Sequence, residues 1–220
     1  MSATRDIVAT YRGPGQVVRR LTGQGLHCEG RHFGQGKQAA KVERRGAVLI
    51  RDGKILDSGT AERLVAEYPA AQRVDYGDHL ILPGFVDAHV HYPQTGIIAS
   101  WGKRLIDWLN SYTFPEEMRF GDRAYADEIS ARYLDLTAAH GTTTVCSYCT
   151  IHPESVDAFF TAAQARGQRV VAGKTCMDRN APEGLQDNGH SAHDASAPVD
   201  PPAPTGAWRS FASTPRCSPP

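Results

Sequence analysis

The alternation of strand-like and helix-like segments between residues 85 and 173 constrains the fold of this chain more than any other feature. Runs rich in apolar and β-branched residues predict strands at 85–90, 142–148 and 169–173. Apolar residues at three- and four-residue steps predict helices at 122–140 and 153–166. Strands that alternate with helices along a chain form a parallel sheet, so the sequence predicts an α/β fold.

The predicted helices carry their own start and stop signals. Asp122 is a good N-cap for the first helix, and Gly141 suits the position just beyond its last turn. Pro153 fits the first turn of the second helix, which ends at Gly167. His140 lies in the last turn of the first helix, where a partial positive charge suits the helix dipole, and we favour that role over metal binding.

A pair of histidines ends the first predicted strand. A Pro83-Gly84 turn leads into this strand, which finishes with His89 and His91. Side chains alternate between the two faces of a strand, so both imidazoles leave the same side. Many such pairs consist of one packed and one solvated histidine. At the end of a buried-looking strand, however, the pair favours a shared metal ion, for which imidazole is the commonest ligand.

Further motifs follow this pair in a specific order. They lie at residues 83–91, 91–94, 108–110, 113–116, 140–144 and 173–182. The first resembles the metal-binding strand of the amidohydrolase superfamily, and the ordered set resembles the guanine deaminase family within it. The resemblance runs from about Arg45 to Asp187. It implies a (β/α)8 TIM-type barrel, of which this chain holds about the first three βα units.

The resemblance also implies a reaction and a set of site residues. The reaction is the zinc-dependent hydrolysis of guanine to xanthine and ammonia, with His89 and His91 as metal ligands. The implied substrate-binding residues are His91, Tyr92, Pro93, Gln94 and, within a short Thr-Pro-Arg match near the end of the chain, Arg216. An amide such as that of Gln94 suits guanine because it donates and accepts hydrogen bonds at once. The family also implies a homodimer.

The catalytic residues of such a site remain unassigned in this sequence. The family uses two further histidines, an aspartate and a proton-shuttling glutamate, all beyond its third strand. We therefore expect a truncated or frameshifted N-terminal fragment that is inactive by itself. Two alternatives stay open, namely an amidohydrolase acting on another aminated heterocycle and a non-catalytic half-barrel. His152 is equally suited to the site and to the start of a helix.

Three regions follow from these patterns. The sequence predicts a small β-sandwich-like domain over residues 1–82, which is poorly defined over 1–44. It predicts the first part of the barrel over residues 83–187. Residues 188–220 are rich in proline and lack an apolar period, so they predict a disordered tail. His190, His193 and Asp194 occupy no family position and are not expected to bind metal.

Composition limits the kinds of partner and the cellular compartment that we expect for this protein. The 220 residues hold 24 basic and 24 acidic side chains, a balance that argues against a nucleic-acid or anionic-membrane surface. No signal-peptide pattern is seen at the N-terminus, so we expect a cytoplasmic protein. Its 5 cysteines are then expected to be reduced, and the pair Cys146 and Cys149 is expected to be structural.

Overall fold

The computed structural model describes residues 6–10, 16–20, 40–77, 79, 81–102 and 104–196. The chain divides into two compact units, Met1–Pro83 and Gly84–Pro220. This division falls one residue from the predicted boundary after residue 82. Arg216, Cys28 and Cys217 lie outside the described residues, as do most of the poorly defined N-terminal segment and the tail beyond residue 196.

The described residues of the first unit form short strands and one helix. The strands are β1 (Asp6–Thr10), β2 (Gln16–Arg20), β3 (Ala40–Arg44), β4 (Gly46–Arg51), β5 (Lys54–Thr60) and β6 (Gln72–Asp75), and the helix is α1 (Ala61–Glu67). One sheet has the strand order β5-β4-β1-β6, and β2 pairs with β3 in a second sheet. Strand β1 runs antiparallel to β4 and parallel to β6.

Local chemistry explains the hairpin and the helix of this unit. Asp52 and Gly53 both have positive φ angles, 51° and 74°, which suit the tight turn between β4 and β5. The Thr60 hydroxyl accepts a hydrogen bond from the Arg63 N–H at 3.3 Å and so caps α1. Leu64 is the buried residue of this helix and packs in a small core. This core also contains Ala47, Leu49 and Ala71.

The second unit contains the predicted parallel sheet. Its strands are β7 (Phe85–His91), β8 (Thr142–Tyr148) and β9 (Arg169–Gly173), in the order β7-β8-β9. Both pairings are parallel. Helices α4 (Arg123–Ala139) and α5 (Pro153–Arg166) connect the strands, so the predicted β-α-β-α-β order is confirmed.

Short helical segments fill the excursion between β7 and α4. They are a 3-10 turn (Tyr92–Ile97), α2 (Leu105–Trp108), a π turn (Leu109–Thr113), α3 (Phe114–Met118) and another 3-10 turn (Arg119–Gly121). A 3-10 turn (Glu183–Leu185) and helix α6 (Gly189–Ser196) follow β9. Among the described residues, no helix combines the length and the apolar character that a membrane span requires.

The predicted helix ends are confirmed. The Asp122 carboxylate accepts a hydrogen bond from the Ala124 N–H at 2.9 Å and caps α4. The ring of His140 donates from Nδ1 to the Leu136 carbonyl at 2.8 Å, which fixes it at the helix end, as predicted. Gly141 then takes a φ of 82° that disfavours other residues, and α5 ends in the same way at Gly167.

Helix α6 differs from the predicted disordered tail. The Asn188 side chain accepts hydrogen bonds from the N–H groups of His190 (3.0 Å) and Ser191 (2.9 Å) and so starts the helix. The prolines that predicted disorder begin at Pro198, beyond the last helical residue. The prediction was therefore wrong for residues 189–196, because this segment contains no proline to break a helix and Asn188 caps its first turn.

Candidate metal and purine site

Two histidines and a tyrosine meet at the carboxyl ends of β7 and β8. The parallel register sets His91 opposite Tyr148, and their rings stack with centroids 4.9 Å apart at 18°. The ring of His89 lies 5.5 Å from that of His91 and 5.0 Å from that of Tyr148. Both imidazoles therefore lie on one side of the strand, as its two-residue period requires. Sequence reasoning missed Tyr148, because only the strand register brings it here.

The environment of His91 favours neutral imidazole. His91 is half-buried, and burial lowers the pKa of its ring, with a smaller effect of the same sign from neighbouring His89. His89 is exposed. Metal ions bind the neutral form of histidine, so the surroundings of His91 suit ligation near neutral pH.

The geometry of the two rings fits part of a zinc site. In tetrahedral zinc the Zn–N distance is about 2.1 Å, which places the centroids of two ligand rings roughly 5 Å apart. The observed separation of 5.5 Å is close to that value. Within the described part of the chain, however, no cluster of three or more histidine, cysteine, aspartate or glutamate side chains is arranged to hold a metal. The pair fits as two ligands of a larger set.

Gln94 lies directly after the histidines, in the first 3-10 turn of the excursion. Its side chain is half-buried, and its Nε2 donates a hydrogen bond to Oε1 of Glu117 at 3.4 Å. Glu117 is only 7% exposed. Burial raises the pKa of this carboxyl, and the hydrogen bond from Gln94 partly opposes the shift. Sequence reasoning missed Glu117, which lies 23 residues from Gln94.

Tyr92 and Pro93 are buried rather than exposed to a ligand. The Tyr92 side chain is 0% exposed, its hydroxyl donates to the Ser155 carbonyl at 2.5 Å, and its ring stacks on Phe159 with centroids 4.4 Å apart. These contacts correct the prediction that Tyr92 contacts the substrate. A side chain whose polar and apolar surfaces are both used in the core has no surface left for a ligand.

His152 lies at the start of α5. It is the N-cap residue, but its side chain makes no capping hydrogen bond. Its Nε2 is buried without a hydrogen-bond partner among the described residues, and burial lowers the pKa of the ring. The charges of Lys174 and Asp187, which form a buried ion pair after β9, also act on this ring. This placement agrees with the alternative in which His152 starts a helix.

Cys149 has the surroundings of a structural cysteine. Within the part of the chain that the structure describes, Cys146 and Cys149 are not joined in a disulfide. Cys149 is buried, and burial raises the pKa of its thiol, so the reactive thiolate is disfavoured.

Comparison with known families identifies the family to which the sequence of the second unit is similar. The profile of the amidohydrolase family matches residues 80–203, more than half of the chain. The chain belongs to the amidohydrolase family. A second profile, the bacterial imidazolonepropionase-like composite domain, matches residues 46–71. The predicted superfamily is therefore confirmed.

Among individual members of this family, the chain is similar to several guanine deaminases. Guanine deaminase of Escherichia coli strain K12 is 45% identical over 152 residues, which cover 69% of this chain and 35% of that enzyme. The crystal structure of guanine deaminase from Bradyrhizobium japonicum superposes with a TM-score of 0.74 at 31% identity, covering 90% of this chain and 40% of the other. Guanine deaminase from C. acetobutylicum with bound guanine shares the fold, with a TM-score of 0.69 at 24% identity over 90% of this chain and 42% of that one. The chain thus spans about a third of the length of the E. coli relative.

Proposed function

We propose that this chain carries the first metal ligands and the purine-reading amide of a zinc-dependent guanine deaminase. The whole enzyme would hydrolyse guanine to xanthine and ammonia. The observation that carries the proposal is the side-by-side placement of the His89 and His91 rings, 5.5 Å apart at a strand end. The likeness to guanine deaminases of several organisms supports the choice of substrate.

The two histidines would hold the ion as neutral imidazoles. Zinc, when bound, supplies Lewis acidity and lowers the pKa of a coordinated water toward about 7. Burial lowers the pKa of His91 and so favours the neutral ring that a metal binds. Stacking on Tyr148 fixes the plane of that ring, which reduces the entropy lost on binding.

Gln94 would read the purine. Its amide offers one acceptor and one free N–H after the hydrogen bond to Glu117 is made. Tyr92 would act indirectly, by holding the 3-10 turn that carries Gln94 against the core. Arg216 remains a candidate from the sequence alone, outside the described residues.

The 220-residue chain by itself would not turn over guanine. A catalytic zinc site uses at least three protein ligands, and two imidazoles leave the ion under-coordinated. The described residues contain no third ligand beside the pair. We therefore propose that a working site needs ligands from a further part of the barrel.

Zinc titration and a turnover assay on the purified chain test both parts of this proposal. We expect weak zinc binding, abolished in His91→Ala and unchanged in His140→Ala, a matched control whose ring is used at a helix end. We expect no conversion of guanine to xanthine. Equal zinc binding by both variants would remove the metal role of His91, and turnover with tight stoichiometric zinc would refute the claim of inactivity.

A non-catalytic half-barrel is a second candidate. It is favoured by the lack of a third ligand near His89 and His91 among the described residues. An ordered chain that ignores zinc in the same titration would support this candidate instead.

We also propose the pathway, the compartment and the assembly in which the whole enzyme works. Purine catabolism in the cytoplasm, by a homodimer, is the setting that the family resemblance implies. Light scattering behind a sizing column would measure the mass of the assembly. A monomeric mass for the complete enzyme would remove the dimer from the proposal.

A further inference from the structure

Glu117 is a buried carboxylate without a cation beside it among the described residues. The preceding residue, Glu116, is equally buried, but it pairs with Arg119 at 3.0 Å and accepts a hydrogen bond from the Tyr125 hydroxyl. The hydrogen bond to Glu117 within the described residues comes from the Gln94 amide. Burying a carboxylate without a compensating charge has a free-energy cost, and the hydrogen bond from Gln94 offsets only part of it. This suggests that the contact between Glu117 and Gln94 has a role beyond stability.

The chemistry of the two groups indicates that role. An ionised carboxylate only accepts hydrogen bonds, so it selects the Nε2 end of an amide and rejects the Oε1 end. Gln94 is therefore held with Nε2 toward Glu117, and its Oε1 accepts no hydrogen bond from a described residue. Without this anchor, the amide could rotate by half a turn and exchange its donor and acceptor.

We propose that Glu117 is a positioning residue that sets the purine specificity of Gln94 by fixing which end of the amide faces the ligand. This inference rests on the proposed function, in which Gln94 meets guanine. The fixed amide presents Oε1 and one remaining Nε2 hydrogen, so it pairs with a purine edge that offers an N–H beside a lone pair. A purine with the donor and acceptor groups exchanged would meet like groups and bind more weakly.

Side-chain amide NMR of the 220-residue chain tests the anchor without any ligand. The Gln94 signal is assigned by its loss in Gln94→Ala. We expect one Nε2 proton of wild-type Gln94 to exchange slowly and to differ strongly in shift from its partner. Glu117→Gln should abolish this difference, because its own amide accepts either orientation. Glu116→Gln, at the adjacent and equally buried position, should leave it intact.

Ligand titrations followed by the same signal test the specificity. The probes are guanine and isoguanine, in which the amino and oxo groups are exchanged. In wild type we expect guanine to bind more tightly. In Glu117→Gln we expect this preference to fall roughly tenfold, the effect of about 1.4 kcal/mol. Where Glu117→Gln fails to give the wild-type circular dichroism spectrum, Glu117→Asp replaces it, since it withdraws the carboxylate by one methylene and keeps its charge.

The possible results separate the two proposals. An unchanged Gln94 amide in Glu117→Gln, an equal loss in Glu116→Gln, or an unchanged guanine preference would each overturn the positioning role. An anchored amide in wild type with no response to guanine would overturn the specificity role together with the proposed function. A lost anchor with a lost preference supports the inference.

Discussion

The substitution Tyr92→Phe separates a core role of this residue from a ligand-binding one. Tyr92 has no exposed surface, and its ring stacks on Phe159 and meets Phe120 edge-on, with centroids 4.4 Å and 5.6 Å away. Its hydroxyl donates to the Ser155 carbonyl at 2.5 Å. The substitution keeps the ring and its packing but removes this hydrogen bond, which ties the first 3-10 turn of the excursion to α5.

The magnitude follows from what each variant removes. A neutral buried hydrogen bond contributes about 1 kcal/mol to the free energy of unfolding, so Tyr92→Phe should lower that energy by roughly this amount. Tyr92→Ala also removes the ring from a closed core and should cost about 3–5 kcal/mol. A larger loss in the free energy of unfolding for Tyr92→Ala than for Tyr92→Phe is the result expected of a core residue.

Urea unfolding followed by circular dichroism measures both values. The matched control is Tyr112→Phe, whose side chain is exposed and should change the free energy of unfolding by less than about 0.5 kcal/mol. If Tyr92→Phe leaves stability unchanged and instead abolishes the response of Gln94 to guanine, Tyr92 contacts the ligand and our correction is wrong.

Three further variants probe the buried ion pair, the turn before the first barrel strand and the buried carboxylate. Lys174→Met leaves Asp187 buried without its partner and should lower the free energy of unfolding by roughly 3–5 kcal/mol, most of it recovered when Asp187→Leu is added. Gly84→Ala should cost about 1–3 kcal/mol in the same urea assay, because its new Cβ would lie 2.0 Å from Oγ1 of Thr143. The melting temperature of Glu117→Gln should increase relative to that of wild type as the pH rises. Burial raises the folded-state pKa of Glu117 above its ordinary value of 4.5, so wild type loses stability between the ordinary and the raised value.

Controls for these variants come from the same chain. In Gly189→Ala the new Cβ would meet no atom of a described residue within 4 Å, so this variant should leave the free energy of unfolding nearly unchanged, in contrast to Gly84→Ala. A single Lys174→Met that costs less than about 1 kcal/mol would show that Asp187 is not held as a buried charge. A melting-temperature difference for Glu117→Gln that stays constant from pH 4 to pH 8 would contradict the raised pKa.

Short-range patterns determined much of the fold. The helix ends at Asp122, Gly141 and Gly167 were predictable, because capping and left-handed turns depend on the residues nearest in sequence. The shared side of His89 and His91 was predictable as well, because the two-residue period of a strand fixes it without any long-range contact.

Only the tertiary structure decided which residues surround these histidines and which lie in the core. Tyr148 reaches His91 through the register of two parallel strands, and Glu117 contacts Gln94 from 23 residues further along the chain. Tyr92 follows a predicted ligand in sequence, yet packing on α5 buries it. Such contacts join residues far apart in the chain, and their free energy depends on how the elements dock rather than on any local pattern of residues.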